Sequence, residues 1–255
     1  MKAKWDTIVK LRRAFRKTPV PYCAAVVLAA GSSTRMGSDK ILGKLCELPV
    51  LARTLMPFQA SDCVHEIVVV TAADKLQEIT ELCRDYNIGK VSKVVIGGKT
   101  RAESALTGVS EVSSKAELIA IHDGARPLVT EDLIRRTVEL ADRKYAAVPA
   151  IRSTDTLKKV GEDGVILCGV DREETWRIQT PQVFQADLIK AALTRAMKKG
   201  VPLTDDGSAM SLLGYDTYVT EGDEENIKLT KPLDLLLAEA IIKDRRERRA
   251  DRSGL

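Results

Sequence analysis

The stretch Ala24 to Lys40, AAVVLAAGSSTRMGSDK, constrains this chain most. It opens with Ala24-Ala25-Val26-Val27-Leu28, a short run of small and branched apolar residues closed by a turn signal. Such a run suits a strand buried on both faces of a parallel sheet. It then breaks into Ala29-Ala30-Gly31-Ser32-Ser33-Thr34-Arg35. Small residues let the backbone approach a ligand closely, and Ser and Thr bond locally to it. Successive backbone N–H groups in such a turn form a concave anion site. Arg35 and Lys40 add fixed positive charge. The unit reads as strand, phosphate-cradling loop and basic residues, fit to hold a nucleoside triphosphate. An ordinary strand-to-helix turn is the competing reading. There is no G-x-G-x-x-G and no G-x-x-x-x-G-K-[ST], which excludes a dinucleotide fingerprint and a Walker loop.

Downstream, strands and helices alternate. Strands are expected at 65–71, 93–96, 117–122 and 146–150. Helices are expected after Pro49, over 73–86, from Ala102 to Val112, and from an N-cap at Thr130 to Ala141. This order implies right-handed crossovers and a mostly parallel sheet flanked by helices, a Rossmann-like α/β fold. Ligands in such sheets bind at the carboxyl ends of strands. The loops after Leu28, Ile96 and Ile121 all lie at strand ends. Residues 152–175 change character. Thr156 to Val160 and Val165 to Leu167 flank the polar turn Gly161-Glu162-Asp163-Gly164 and read as a projecting hairpin. Helices follow over Asp187–Lys199, Thr204–Leu213 and from Pro232 onward, with a strand at Thr217–Thr220.

Composition narrows the function. The 255 residues are 44% hydrophobic, enough for a sizeable core, and carry a net charge of only +4. Global charge therefore indicates no partner, and no aromatic residues interleave with the charged run Lys243 to Arg252, so nucleic-acid binding is not expected. Five unpatterned cysteines, Cys23, Cys46, Cys63, Cys83 and Cys168, fit reduced thiols of a cytoplasmic protein. Only two histidines, His65 and His122, are present, which weakens a His-rich metal centre. No apolar run approaches the roughly 18 residues of a membrane span, and the N-terminus lacks an apolar secretion core. Three segments are expected: a basic extension 1–21, a domain 22–242 with the hairpin arm near 152–175, and a charged tail 243–255.

The loop LAAG-x-x-x-R-M-G with a following Lys resembles the signature of nucleotidyltransferases that join a nucleoside triphosphate to a phosphorylated acceptor. Gly97-Gly98-Lys99-Thr100-Arg101, Ile121-His122-Asp123-Gly124-Ala125-Arg126-Pro127, Asp155-Thr156, Thr180-Pro181-Gln182, Thr204-Asp205-Asp206 and Asn226-Ile227-Lys228 follow in order. Together these blocks resemble the 2-C-methyl-D-erythritol 4-phosphate cytidylyltransferase family over about 22–242. The resemblance implies attack of an acceptor phosphate oxygen on the α-phosphorus of CTP, with pyrophosphate leaving. It assigns catalysis to Arg35, Lys40, Arg172 and Lys228. Nucleotide contacts fall to Ala29, Ala30, Gly31, Gly98, Arg101, Ser104, Asp123 and Gly124, and acceptor contacts to Arg126, Thr156, Thr180 and Thr204. It also implies Mg²⁺ carried mainly by the nucleotide phosphates, with no dedicated protein metal site. The hairpin becomes a homodimerisation arm that lends Thr156 and Arg172 to the neighbouring subunit. His122 is read as a packed structural residue.

The sequence departs from the family pattern at Asp39 and Ile41, which flank Lys40 where Pro and Gln are usual, and at Lys99. It is also longer between Pro149 and Asp155. A ribitol phosphate or other polyol phosphate cytidylyltransferase is the nearest alternative activity. Ala125 leans against it, because ribitol relatives tend to replace this small residue. A non-catalytic nucleotide-binding module would be expected to have lost Arg35, Lys40 or Lys228, and all three are present.

Overall fold

The computed structural model describes residues 20–31 and 41–253, together with Thr7 and Ala14. Most of the expected basic extension 1–21, and the residues Arg35 and Lys40, lie outside the described residues. In chain order the first half comprises β1 (Cys23–Leu28), the short ribbon β2 (Lys44–Leu45) and β3 (Leu48–Pro49), α1 (Val50–Ala60), β4 (Glu66–Thr71), α2 (Leu76–Asp85), β5 (Val91–Ile96), α3 (Arg101–Glu111), β6 (Leu118–Asp123) and α4 (Glu131–Lys144). The second half comprises β7 (Ala146–Arg152), β8 (Lys158–Val160), β9 (Ile166–Gly169), β10 (Trp176–Ile178), β11 (Gln182–Gln185), α5 (Ala186–Lys199), α6 (Gly207–Ser211), β12 (Tyr218–Glu221) and α7 (Pro232–Ser253).

The main sheet runs β10-β7-β11-β6-β1-β4-β5, and β12 pairs with β7. Strands β5, β4, β1 and β6 are mutually parallel, and β12 runs parallel to β7. Strand β11 is antiparallel to both its neighbours, β6 and β7, and β10 is antiparallel to β7. The expected α/β architecture with a mostly parallel sheet is what the chain adopts. The β1 run works as its composition dictates. Ala25 and Val27 face one core with Leu55 and Phe58 of α1, Ile79 of α2 and Ile134 of α4. Ala24 and Val26 face the other, with Val109 of α3 and Ile189 of α5. Small alternating residues let helices close on both faces.

Local signals set several helix ends. Thr130 accepts from the backbone N–H of Leu133, and Thr100 and Glu103 form a reciprocal capping box at the start of α3. The structure differs from expectation at 204–213, where only the five residues of α6 are helical. The Asp206 and Gly207 N–H groups both go to the Gln182 side chain, so tertiary bonds set where that turn begins. Strands β10 and β11 are additions to the expected elements. The hairpin β8–β9 forms as expected, and every residue of both strands is exposed.

Candidate active site

The carboxyl ends of β1 and β6 lie side by side, with Leu28 opposite Asp123 in register. The chain leaves β1 through Ala29, whose N–H donates to Val70 O at 2.7 Å. It leaves β6 through Gly124, whose N–H donates to Leu28 O at 2.9 Å. A Cβ on Gly124 would sit 3.0 Å from that oxygen, so a glycine lets the two strand ends abut. Gly98 follows β5 under a similar limit, since a Cβ there would meet the Cβ of Glu103 at 2.3 Å. The capping box of α3 is packed directly on it. Ser104, one turn into α3, is buried and donates to Thr100 O at 3.0 Å.

Asp123 gathers the charges. Lys228 Nζ lies 2.7 Å from its Oδ2, Arg101 Nε lies 3.3 Å from its Oδ1, and Arg126 Nε lies 3.8 Å from Oδ2. Burial pushes this carboxyl up, but the charges of Arg101, Lys228 and Arg126 outweigh it and hold Asp123 well below the usual carboxylate range. The three cations come from different elements: the first residue of α3, the loop after β6, and the loop before α7. Arg126 is fixed by donating Nη1–H to Asn226 O at 2.7 Å, and Leu229 N–H donates to Ala125 O at 2.8 Å. These bonds stitch the Asn226-Ile227-Lys228 segment onto the end of β6.

Beneath Asp123 is a closed chain of hydrogen bonds. The Asp123 N–H donates to Thr180 Oγ1 at 3.1 Å, and Thr180 Oγ1 lies 2.9 Å from His122 Nδ1. His122 Nε2 lies 3.3 Å from Arg126 O. A carbonyl accepts only, so Nε2 carries the proton, Nδ1 is left as acceptor and the Thr180 hydroxyl donates to it. This assigns a neutral imidazole. Burial pushes its pKa down to about 3, against the charge of Asp123 and the bond to Arg126 O and with the charges of Arg126 and Lys228, which agrees with the assigned tautomer. His122 also packs against Phe58 with ring centres 5.0 Å apart. The expectation that it is structural holds.

Two clefts meet at Asp123. A cleft of about 410 Å³ is lined by Ala30, Gly31, Gly98, Lys99, Arg101, Ser104, Asp123 and Lys228, among others. A second, of about 750 Å³, is lined by Arg101, Asp123, Arg126, Thr180, Thr204 and Lys228, with Gln179, Gln182 and Asp205 among its other walls. Arg101, Asp123 and Lys228 border both. Of the described residues assigned from sequence, Ala30, Gly31, Gly98, Arg101, Ser104, Asp123, Arg126, Thr180, Thr204 and Lys228 line the two clefts. Ala29 and Gly124 are buried at the strand ends without lining either, and Thr156 and Arg172 lie exposed at the hairpin and border neither.

Sequence reasoning passed over Asp206, Gln182 and Asn226. Each stands in a quoted block, but its role depends on partners far along the chain. Asp206 takes both arms of the Arg101 fork at 2.9 and 2.8 Å, and Asn226 donates to Thr180 O at 2.9 Å. Local sequence offered no signal for Asp206 or Asn226, which stand beside the equally polar Asp205 and Glu225.

The model of the 2-C-methyl-D-erythritol 4-phosphate cytidylyltransferase family, IspD, matches residues 23–244. The chain belongs to that family. It is 42% identical over 227 residues to the 2-C-methyl-D-erythritol 4-phosphate cytidylyltransferase of Halalkalibacterium halodurans, covering 88% of this chain and 99% of that one. It is 36% identical over 229 residues to the enzyme of the same name from Alkaliphilus oremlandii, covering 89% of this chain and 97% of that one. Among solved structures, the 4-diphosphocytidyl-2C-methyl-D-erythritol synthase of Anaerococcus prevotii superposes with a TM-score of 0.77 at 28% identity, covering 88% of this chain and 96% of that one. The Thermus thermophilus cytidylyltransferase superposes with a TM-score of 0.70 at 30% identity, covering 86% of this chain and 98% of that one. The IspD match leaves residues 1–22 outside it.

Proposed function

We propose that the two clefts divide the two substrates of cytidylyl transfer, with CTP in the smaller and 2-C-methyl-D-erythritol 4-phosphate in the larger. Family membership makes the chain a cytidylyltransferase of the non-mevalonate isoprenoid pathway. The observation that carries the division is the shared border: Arg101, Asp123 and Lys228 line both clefts, so two bound polyanions would meet across them. Backbone groups beside Gly98, with Ser104 and Arg101, suit a pyrimidine and its ribose. The Ala30 and Gly31 backbone N–H groups are offered to the triphosphate, that of Ala29 being spent on Val70 O. Arg126, whose planar fork suits a phosphate, and Thr204 suit the acceptor. Thr180 can serve it as an acceptor of hydrogen bonds, because its own O–H is spent on His122.

In the reaction an oxygen of the acceptor phosphate forms a bond to the α-phosphorus while the bond to the bridging oxygen breaks and pyrophosphate leaves. The nucleophile is already an anion, so no general base is needed. The protein's work is positioning and charge neutralisation. Lys228 supplies a cation at the junction, and Arg35 and Lys40 are assigned to the triphosphate by the family motif. Among the described residues no cluster of three or more His, Cys, Asp or Glu could hold a metal, and Asp123 is the one carboxylate lining the smaller cleft. That donor set fits Mg²⁺, which habitually takes one or two carboxylates and the rest of its shell from phosphates and water. When bound with CTP, the ion neutralises phosphate oxygens, and Asp123 is the residue to hold it.

The hairpin is read as a homodimer arm. Val160, Val165, Ile166 and Leu167 are 55–66% exposed there, an apolar surface suited to a second copy. The partner's arm would then bring Thr156 and Arg172 to the larger cleft. Among the described residues no helix is long and apolar enough to cross a membrane, and we place the enzyme in the cytoplasm. The test is pyrophosphate release with CTP, Mg²⁺ and either methylerythritol phosphate or ribitol phosphate, run alongside sedimentation. Release with methylerythritol phosphate from a dimer supports the reading. Preference for ribitol phosphate would move the acceptor, and a fully active monomer would remove the shared arm.

A further inference from the structure

Arg101 is held in an unusual way for a residue that borders a substrate cleft. Two of its nitrogens, Nη1 and Nη2, are committed to Asp206 at 2.9 and 2.8 Å, a parallel two-armed pair, while Nε faces Asp123 Oδ1 at 3.3 Å. Asp206 is 1% exposed and itself immobilised. Its N–H and that of Gly207 both donate to Gln182 Oε1 at 3.0 Å, and Gln182 Nε2 donates to Asp205 Oδ2 at 3.0 Å. Gln182 is the first residue of β11, in the middle of the sheet. A rigid line therefore runs from the sheet through Gln182 and Asp206 to the Arg101 fork and on to Asp123. It also ties the Thr204–Gly207 segment, a wall of the larger cleft, to the start of α3, a wall of the smaller.

We infer that Asp206 is a positioning residue that acts through Arg101, aiming the guanidinium at the nucleotide cleft and coupling that cleft to the acceptor loop. This rests on the division of substrates proposed above. Without the Asp206 carboxylate, Asp123 is the anion that the Arg101 fork still touches. The guanidinium would swing onto it and compete with Lys228 for the same oxygens. Arg101 would then leave the place from which it meets CTP. A Lys at position 101 keeps the charge but, as a point donor, cannot span both carboxylates.

The experiment compares Asp206→Asn, Arg101→Lys and the double variant by steady-state pyrophosphate release, varying CTP and methylerythritol phosphate separately, with thermal melts to confirm folding. Each single variant is expected to raise the KM for CTP about tenfold, the size of one charged hydrogen bond. The double variant should be no worse than the poorer single, because both act on one guanidinium. Effects that multiply, or an Asp206→Asn enzyme with the parental KM for CTP beside a defective Arg101→Lys, overturn the positioning role alone. An Arg101→Lys enzyme with unchanged KM for CTP overturns the substrate division and this inference with it. Should Asp206→Asn fail to fold, Asp206→Glu carries the same test. It keeps the charge, and its extra methylene displaces the fork, so the KM for CTP must still rise.

Discussion

Replacing Thr180 by Val isolates the hydrogen-bond chain under Asp123. Valine matches the shape of threonine and removes only the hydroxyl. That hydroxyl serves two groups, accepting from the Asp123 N–H at 3.1 Å and donating to His122 Nδ1 at 2.9 Å. Thr180 and His122 are both buried, so water does not replace what is lost. An unsatisfied buried polar group costs about 1–3 kcal/mol, so two cost roughly 2–6 kcal/mol. At about 2–4 °C per kcal/mol for a domain of this size, that corresponds to a melting temperature lower by roughly 4–24 °C. The same change frees the end of β6, so kcat should fall together with stability. Thermal melting by circular dichroism and pyrophosphate release read the two effects. Thr180→Ser, which retains the hydroxyl, should restore most of both. A Thr180→Val protein melting within about 2 °C of the parent would refute the assigned network, since the cost of two orphaned groups is well above that.

Lys228→Met removes the cation shared by both clefts while leaving Asp123 with Arg101 and Arg126. Because Lys228 is 38% exposed and sits on a loop, the melting temperature should hold, whereas kcat should fall about 10²–10³, the usual loss for one preorganised charge. A kcat within about threefold of the parent would take Lys228 out of the mechanism. His122 predicts a pH effect on stability. Its folded pKa is pushed down to about 3, so between that value and the ordinary value near 6.5 the unfolded chain binds one more proton than the folded one. Stability is therefore complete above about pH 6.5 and declines below it by roughly 1 kcal/mol for each pH unit. Urea unfolding at pH 7 and pH 5 should show this decline, and His122→Gln should flatten it. An identical slope in the variant would show that His122 is not the titrating group.

The parallel half of the sheet was legible because its signal is local. The buried strands Ala24 to Leu28 and Ile67 to Val70 are uniform apolar stretches, and the caps Thr130 and Thr100 sit at the helix starts they mark. Strand β11 was illegible for the opposite reason. Its sequence Gln182-Val183-Phe184-Gln185 is polar at both ends, yet all four residues are buried. Gln182 is satisfied by the Asp205–Gly207 segment, and Gln185 Oε1 accepts from the Leu188 N–H at 2.9 Å to cap α5. Long-range and capping bonds remove the cost of burying these amides, and neither is visible in a four-residue pattern. The site followed the same division. Residues in loops at strand ends could be named from motif and topology. Asp206 and Asn226, which hold those residues still, could not.

The antiparallel strand also explains why chemistry falls where it does. Strands β5, β1 and β6 present their carboxyl ends to the smaller cleft, as a parallel sheet does. Beyond β6 the direction reverses at β11, so the start of that strand, and not its end, lies beside Asp123, with Gln182 opposite Ile121. The residues entering β11, Gln179 and Thr180, therefore reach the same edge as the residues leaving β6, and they line the larger cleft. One sheet thus supplies two adjacent clefts with unlike walls, and the seam between β6 and β11 is their common border. Asp123 closes one side of that seam and Thr180 the other, joined by the bond between them. This is why loss of the Thr180 hydroxyl should disturb turnover as well as folding. A substitution confined to one cleft, such as Thr204→Val, should instead raise the KM for the acceptor and leave that for CTP unchanged.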